Sequence, residues 1–312
     1  MSALLDVILP VFLVIGFGWI AAWRGWFSDS AVDGLMRFAQ GFALPCVLFL
    51  GVAQLDLSSA YSPALMLSFY SGAFSGFALC FVAARWLFRR PLTDAVAIGF
   101  AGMFSNSLLL GLPITERAYG PDALTGNIAI LSIHSPLFYG LGISLMEWAR
   151  SRGEGLSALD LARKITRAIL LQPLVFGILC GFALNLSGLP LPDMLLAATA
   201  MMAKAALPAA LFGLGGVLWR YRPEGDRMVI ITICTVSLVI HPAIAWGVAR
   251  GIFSLEDAGL RSVVVTAAMA PGANAYMFAH MYGVAKRVNA SAVLFGTAFS
   301  ILSVWIWLQL LP

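Results

Sequence analysis

Ten long apolar runs, separated by clusters of charge and helix breakers, divide almost the whole chain and restrict its fold more than any single motif does. Their approximate limits are 4–23, 35–55, 64–84, 95–115, 126–146, 168–187, 194–218, 228–249, 262–282 and 290–311. Each is close to the ~20 mainly apolar residues that an α-helix needs to cross a bilayer. At the boundaries stand Trp23-Arg24-Gly25, Arg89-Arg90-Pro91, Tyr119-Gly120-Pro121 and Tyr221-Arg222-Pro223, where interfacial aromatics, charges and helix breakers coincide. A chain of 312 residues that is 61% hydrophobic and 11% charged has too little charge to coat a water-soluble domain. The expectation is an all-α integral membrane protein with ten transmembrane helices, here called spans one to ten.

Positive charge sets the orientation, because short loops rich in Lys and Arg stay on the cytoplasmic side. With the N-terminus outside, the inward connections hold Arg24, Arg37, Arg85, Arg89, Arg90, Arg150, Arg152, Arg163, Lys164, Arg167, Arg220, Arg222, Arg227, Lys286 and Arg287, fifteen of the 19 positive charges. The outward connections hold Arg117, Arg250 and Arg261, and Lys204 falls inside span seven. A multi-pass protein of the cell (inner) membrane with both termini outside is expected. The net charge of +4 then reports topology, and no nucleic-acid partner is inferred from it. Met1 to Leu5 lacks the positive start of a cleavable signal peptide. Cys46, Cys80, Cys180 and Cys234 all fall in spans without metal-ligand spacing, so no metal, disulfide framework or cofactor is expected.

The two halves of the chain resemble each other. Pro10 and Pro173 lie 163 residues apart, with Ile15 over Ile178 and Gly18 over Gly181. The same offset pairs Ala43-Leu44-Pro45 with Ala206-Leu207-Pro208 and Leu48-Phe49 with Leu211-Phe212, and an offset of 165 pairs Ala84-Arg85 with Ala249-Arg250. Their constant order points to a duplicated five-helix unit, with repeats at 1–150 and 168–312 joined by a cytoplasmic connector at 151–167. Five is odd, so the second copy enters the membrane upside down. Inverted repeats of this kind are characteristic of secondary transporters, whose substrate site lies between the repeats and is built from broken helices.

Spans four and nine carry the breaks. Span four contains Ser105-Asn106-Ser107 followed by Gly111-Leu112-Pro113, and span nine contains Pro271-Gly272-Ala273-Asn274; Met103 and Met269 align at an offset of 166. Pro271 lacks a backbone donor and clashes with the preceding turn, Gly272 weakens the helix, and the Asn and Ser side chains can satisfy freed backbone or a ligand. Half-helix N-termini facing a cavity would suit an anion, and a carboxylate is the natural candidate.

These segments resemble the auxin efflux carrier family, which includes the plant PIN carriers and bacterial carriers of malonate or malate. The resemblance rests on Phe42-Ala43-Leu44-Pro45 with Leu48-Phe49, on 105–113 with Tyr119-Gly120, on Leu207-Pro208 with Leu211-Phe212 and Gly215, and on 270–274 with Ala279 and Tyr282. It implies a fold like that of bile-acid sodium symporters. Spans one, two, six and seven would form a scaffold, often a homodimer, and spans three to five and eight to ten a transport domain moving by elevator-type alternating access. It also implies that Asn106 and Pro271 are the crossover Asn and Pro. Plant members have Pro immediately before the first crossover Asn, whereas this chain has Ser105.

The expected substrate-site residues are Ser105, Asn106, Ser107, Pro271, Gly272 and Asn274, with Pro45 and Pro208 either kinking their helices or shaping the scaffold side of the cavity. Lys204, the one fixed charge deep in a span, could attract the anion, replace a bound cation or snorkel. Among His134, His241 and His280, candidates for proton coupling, His280 has the best claim because it follows the second break. Every Asp and Glu falls in a connection or near a helix end, which weakens the case for sodium coupling. A channel is the main alternative. An intramembrane hydrolase lacks a nucleophile motif, and no phosphate-cradling loop for an ATP-driven pump occurs.

Overall fold

The structure is a computed structural model that describes residues 3–151 and 157–312. Met1, Ser2 and residues 152–156, with Arg152 and part of the expected connector, lie outside the described residues. In chain order the principal helices are α1 (Leu4–Trp23), α2 (Asp29–Ala53), α3 (Pro63–Leu87), α4 (Leu92–Met103), α5 (Leu112–Tyr119), α6 (Pro121–Arg150), α7 (Ala158–Leu170), α8 (Pro173–Ser187), α9 (Asp193–Arg220), α10 (Arg227–Gly251), α11 (Asp257–Ala267), α12 (Ala273–Tyr282) and α13 (Lys286–Leu310). Seven are long and apolar enough to cross a membrane, and eight if the bent pair α7 and α8 counts as one span.

Three of the ten expected spans therefore differ from single straight helices. The runs at 95–115 and 262–282 are each interrupted, with α4 giving way to α5 and α11 to α12 across the polar, Pro- and Gly-bearing segments. The run at 168–187 begins at Pro173 after an 82° bend. Before the bend, the expected polar connector folds as α7, whose Leu161, Ile165 and Ile169 recur at helical spacing and whose first turn is capped by Ser157 accepting from the Asp160 N–H at 3.1 Å.

Proline shapes the long helices. Widened π-type turns at Ala3–Ile8, Ala39–Ala43, Ser107–Gly111 and Val236–Ile240 lead into helical stretches whose second residue is Pro10, Pro45, Pro113 and Pro242 respectively. A proline ring removes one donor and crowds the preceding turn, and a locally wider turn relieves both. Pro208 instead sits inside α9 without such a turn.

The best-packed pairings fall at the 163-residue offset seen in the sequence. α1 packs along α9, and α8 along α2. A Cβ at Gly18 would stand 1.9 Å from the carbonyl oxygen of Phe212, and a Cβ at Gly181 would stand 2.8 Å from that of Phe49. Gly18 and Gly181, like Phe49 and Phe212, are 163 residues apart, so the same close backbone crossing occurs twice. Small residues at such crossings let membrane helices approach and gain dispersion contact. All four cysteines are free thiols.

Candidate functional site

The two breaks meet. Ser105 and Pro271 face each other in an antiparallel bridge, flanked by hydrogen bonds from the Asn106 N–H to the Ala270 carbonyl at 2.7 Å and from the Gly272 N–H to the Phe104 carbonyl at 2.8 Å. Backbone polar groups deep in a membrane protein must find partners within it, and these two bonds satisfy four of them. Ser105 and Pro271 occupy the pair that exchanges no hydrogen bonds, so Pro271 loses nothing by lacking an N–H. Gly296 of α13 leaves room for the Pro271 ring: a Cβ there would lie 2.7 Å from the ring's Cδ.

Side chains fix the crossing from several helices. Ser107 donates from Oγ to the Thr266 carbonyl at 2.9 Å, and Asn127 of α6 donates to Thr115 Oγ1 at 3.1 Å and Thr266 Oγ1 at 2.8 Å. Ser105 Oγ lies 3.3 Å from His241 Nδ1. This hydroxyl ties the first break to α10.

Beside the crossing opens a cavity of about 290 Å³, at the small end of the ~300–1,000 Å³ range of ligand pockets. Its polar wall consists of Ser105, Asn106, His134, Ser135, Tyr139 and Asn274, with Arg37, Gln40 and Gln172. Among the described residues that line it there is no carboxylate. Asn106 is 6% exposed, and its Nδ2 has no protein partner among the described residues. Gly272, Ala273 and Asn274 open α12 against the same space, so the N-terminal turn of a half-helix borders it.

Not every expected residue comes here. Ser105, Asn106, Gly272 and Asn274 converge, while Ser107 and Pro271 hold the crossing from behind and do not line the cavity. Pro45 is buried, its carbonyl against Gly177 of α8, with its neighbour Leu44 on the wall. Lys204 and Pro208 line a second cavity of about 640 Å³ with Pro10, Val11, Glu116 and Arg117. His134 is on the first cavity's wall, His241 stands behind it, and His280 is exposed against the ring of Tyr276.

Arg37 was counted among the connection charges, yet it belongs to α2. It shares one helical stripe with Gln40, Gly41, Leu44 and Leu48, all on the cavity wall. The 3–4 spacing of these five residues was the available signal.

The two cavities are lined by equivalent residues. Gln40, Gly41, Leu44 and Leu48 of the first stand 163 residues before Ala203, Lys204, Leu207 and Leu211 of the second, and Pro173 and Leu174 stand 163 after Pro10 and Val11. A small apolar cluster of Ala39, Ala43, Leu44, Leu109, Ala206 and Ala210 lies by both: Leu44 and Leu109 with the adjoining Leu108 and Leu174 are on the first wall, and the adjoining Val47 and Leu207 are on the second.

Comparison with known proteins agrees with a transporter. Over 304 residues the chain is 23% identical to a Rhizobium meliloti (strain 1021) protein named "Putative malonate transporter", covering 97% of this chain and 94% of that one. Over 314 residues it is 27% identical to an "Uncharacterized transporter" of Methanothermobacter thermautotrophicus, covering 97% and 96%. A family model described as membrane transport protein matches residues 3–308. The chain therefore belongs to this membrane transport family, the auxin efflux carrier family that its broken-helix motifs resemble.

Proposed function

We propose that the protein is a secondary carrier of a small organic anion, a carboxylate such as a dicarboxylate, which binds at the crossing beside Asn106 and moves by alternating access. The first cavity carries this reading. Its fixed charge is the cation Arg37, its amides and hydroxyls point to a polar solute, and a half-helix N-terminus adds partial positive charge. Asn106 offers an unpartnered amide donor for a carboxylate oxygen. The name of the Rhizobium relative is consistent with a dicarboxylate.

Alternating access is supported by the paired cavities. In this reading the chain has ten spans in two inverted repeats, with the α4–α5 and α11–α12 pairs as broken spans four and nine and α8 as span six. The first cavity opens at the Arg-rich cytoplasmic side, the second opens outside, and the Leu108–Leu109 cluster stands between them. Spans one, two, six and seven act as scaffold while the crossing moves past them. Lys204 and Pro208 then line the outer approach and do not hold the solute at the crossing.

Counterflow of labelled malonate, malate and indole-3-acetate in proteoliposomes tests the reading. Saturable exchange of one of them should weaken roughly 10–100-fold in apparent affinity in Asn106→Ala, the loss expected for a hydrogen bond to a charged group worth about 1.5–3 kcal/mol. If well-folded protein exchanges none of the three, the anion assignment fails. Unitary currents in planar bilayers would favour a channel instead.

A further inference from the structure

His134 is the one imidazole on the wall of the crossing cavity, and its setting is unusual for a buried polar ring. It is 1% exposed, and neither Nδ1 nor Nε2 has a hydrogen-bond partner among the described residues. Three phenyl rings surround it, from Phe104 at 4.6 Å, Phe138 at 4.4 Å and Phe69 at 5.6 Å between ring centroids. A buried polar group that only packs normally finds a hydrogen-bond partner in the protein, because leaving it without one costs about 1–3 kcal/mol. Here the ring lines a cavity while both nitrogens are themselves buried, so a turn of the side chain would bring one of them to a solute or water.

The charged and titratable groups around this ring are few. Arg37 of α2 and Tyr139 of α6 share the cavity wall. Tyr70 of α3 meets Phe138 edge to face and donates its hydroxyl to the Ile130 carbonyl at 3.1 Å. His241 of α10 lies beyond Phe69, with Nδ1 directed to Ser105 Oγ. No Asp or Glu among the described residues lines the cavity, so the usual carboxylate site for a coupling cation is missing. His134 is left as the cavity side chain with a ring nitrogen that can accept a proton.

We propose that His134 couples transport to protons: its imidazole takes one proton from solution as the organic anion enters the cavity, and returns it where the anion leaves. The proposal rests on the reading of the crossing as an anion site. The proton adds to the lone pair of the nitrogen that accepts in the neutral ring, giving an imidazolium with two N–H donors, and the same N–H bond breaks on release. In the empty cavity an unpaired buried cation beside Arg37 is disfavoured by several kcal/mol. A carboxylate in the cavity reverses that preference, and the aromatic faces favour the cation further. Proton and anion then strengthen each other's binding by the same factor. Arg37 and the imidazolium together match a dicarboxylate with two negative charges. His241, held by Ser105 and set back from the cavity, positions the first break and carries no proton.

The test compares wild type, His134→Gln and His280→Gln in proteoliposomes, using labelled malonate and malate with empty liposomes subtracted. In wild type a proton gradient, acid outside, should drive accumulation, and the apparent affinity in counterflow should fall by up to ~10-fold per unit rise in pH, the limit for one linked proton. His134→Gln should slow counterflow, make it independent of pH and abolish accumulation, while His280→Gln should keep both responses. Intact wild-type counterflow without any response to the gradient, or undiminished accumulation in His134→Gln, would overturn the coupling and leave the anion site standing. Absence of counterflow in wild type would remove both. Should His134→Gln fail to fold, proton uptake by wild-type protein decides. A pH indicator in lightly buffered detergent solution should report about one proton per malonate bound, and no uptake would refute the proposal.

Discussion

The two cavities have the same plan and different chemistry. Gln40 and Gly41 in the first are replaced at the equivalent places in the second by Ala203 and Lys204, while Leu44, Leu48 and Pro173 of the first match Leu207, Leu211 and Pro10 of the second. Asn106 and His134, whose side chains carry buried polar atoms without protein partners among the described residues, line the first cavity and not the second. In the proposed reading a duplicated scaffold supplies two similar approaches, and recognition is concentrated where the broken segments meet. Repetition fixes the path, and departure from repetition fixes the site.

The largest effect should come from attacking the repeated crossings themselves. Gly18→Ala puts a Cβ within 1.9 Å of the Phe212 carbonyl oxygen, whereas Gly181→Ala meets the Phe49 carbonyl at 2.8 Å. Overpacking of this kind costs about 1–3 kcal/mol, so both variants should unfold at lower temperature, Gly18→Ala more so. Equal stability of wild type and Gly18→Ala would show that the α1–α9 contact is looser than described here. Below this lie the Asn106→Ala loss of affinity and the His134→Gln loss of coupling, which act on the first cavity alone. Smallest is Lys204→Gln. An exposed charge in a wide cavity contributes ~1 kcal/mol or less, so uptake assayed from the Lys204 side should show a KM raised by less than about five-fold, with the effect fading at high salt. Uptake from the Arg37 side should not change. A loss equal from both sides would move Lys204 into the binding site.

Much of this was legible before any coordinates. Apolar length placed the helix ends within about six residues: α2 starts at Asp29 against the expected 35, α6 at Pro121 against 126, α8 at Pro173 against 168 and α11 at Asp257 against 262. The polar clusters at Ser105–Ser107 and Pro271–Asn274 marked both breaks, because helix-poor residues inside apolar runs have few other uses.

Three things could not be read from the sequence. Hydropathy does not reveal that the breaks pair as a bridge with Ser105 opposite Pro271, since that depends on contacts across 166 positions. Nor does the neighbourhood of each histidine in the chain show which one reaches the cavity. His280 follows the second break closely, yet helical rotation turns it outward, while His134 arrives from the middle of α6. Nor does hydropathy give the 82° angle at which α7 meets α8, which depends on how the two helices pack.

The central claim, that equivalent walls of the two repeats serve opposite sides of the membrane, can be tested with thiol labelling. Gln40→Cys and Ala203→Cys, each in protein whose four native cysteines are replaced, place one reporter at the same repeat position in each cavity. A membrane-impermeant reagent should reach Gln40→Cys only from the cytoplasmic side and Ala203→Cys only from the outside. A transported anion should shift the two labelling rates in opposite directions. Labelling of both from one side, or rates indifferent to every anion that exchanges, would contradict alternating access between these cavities.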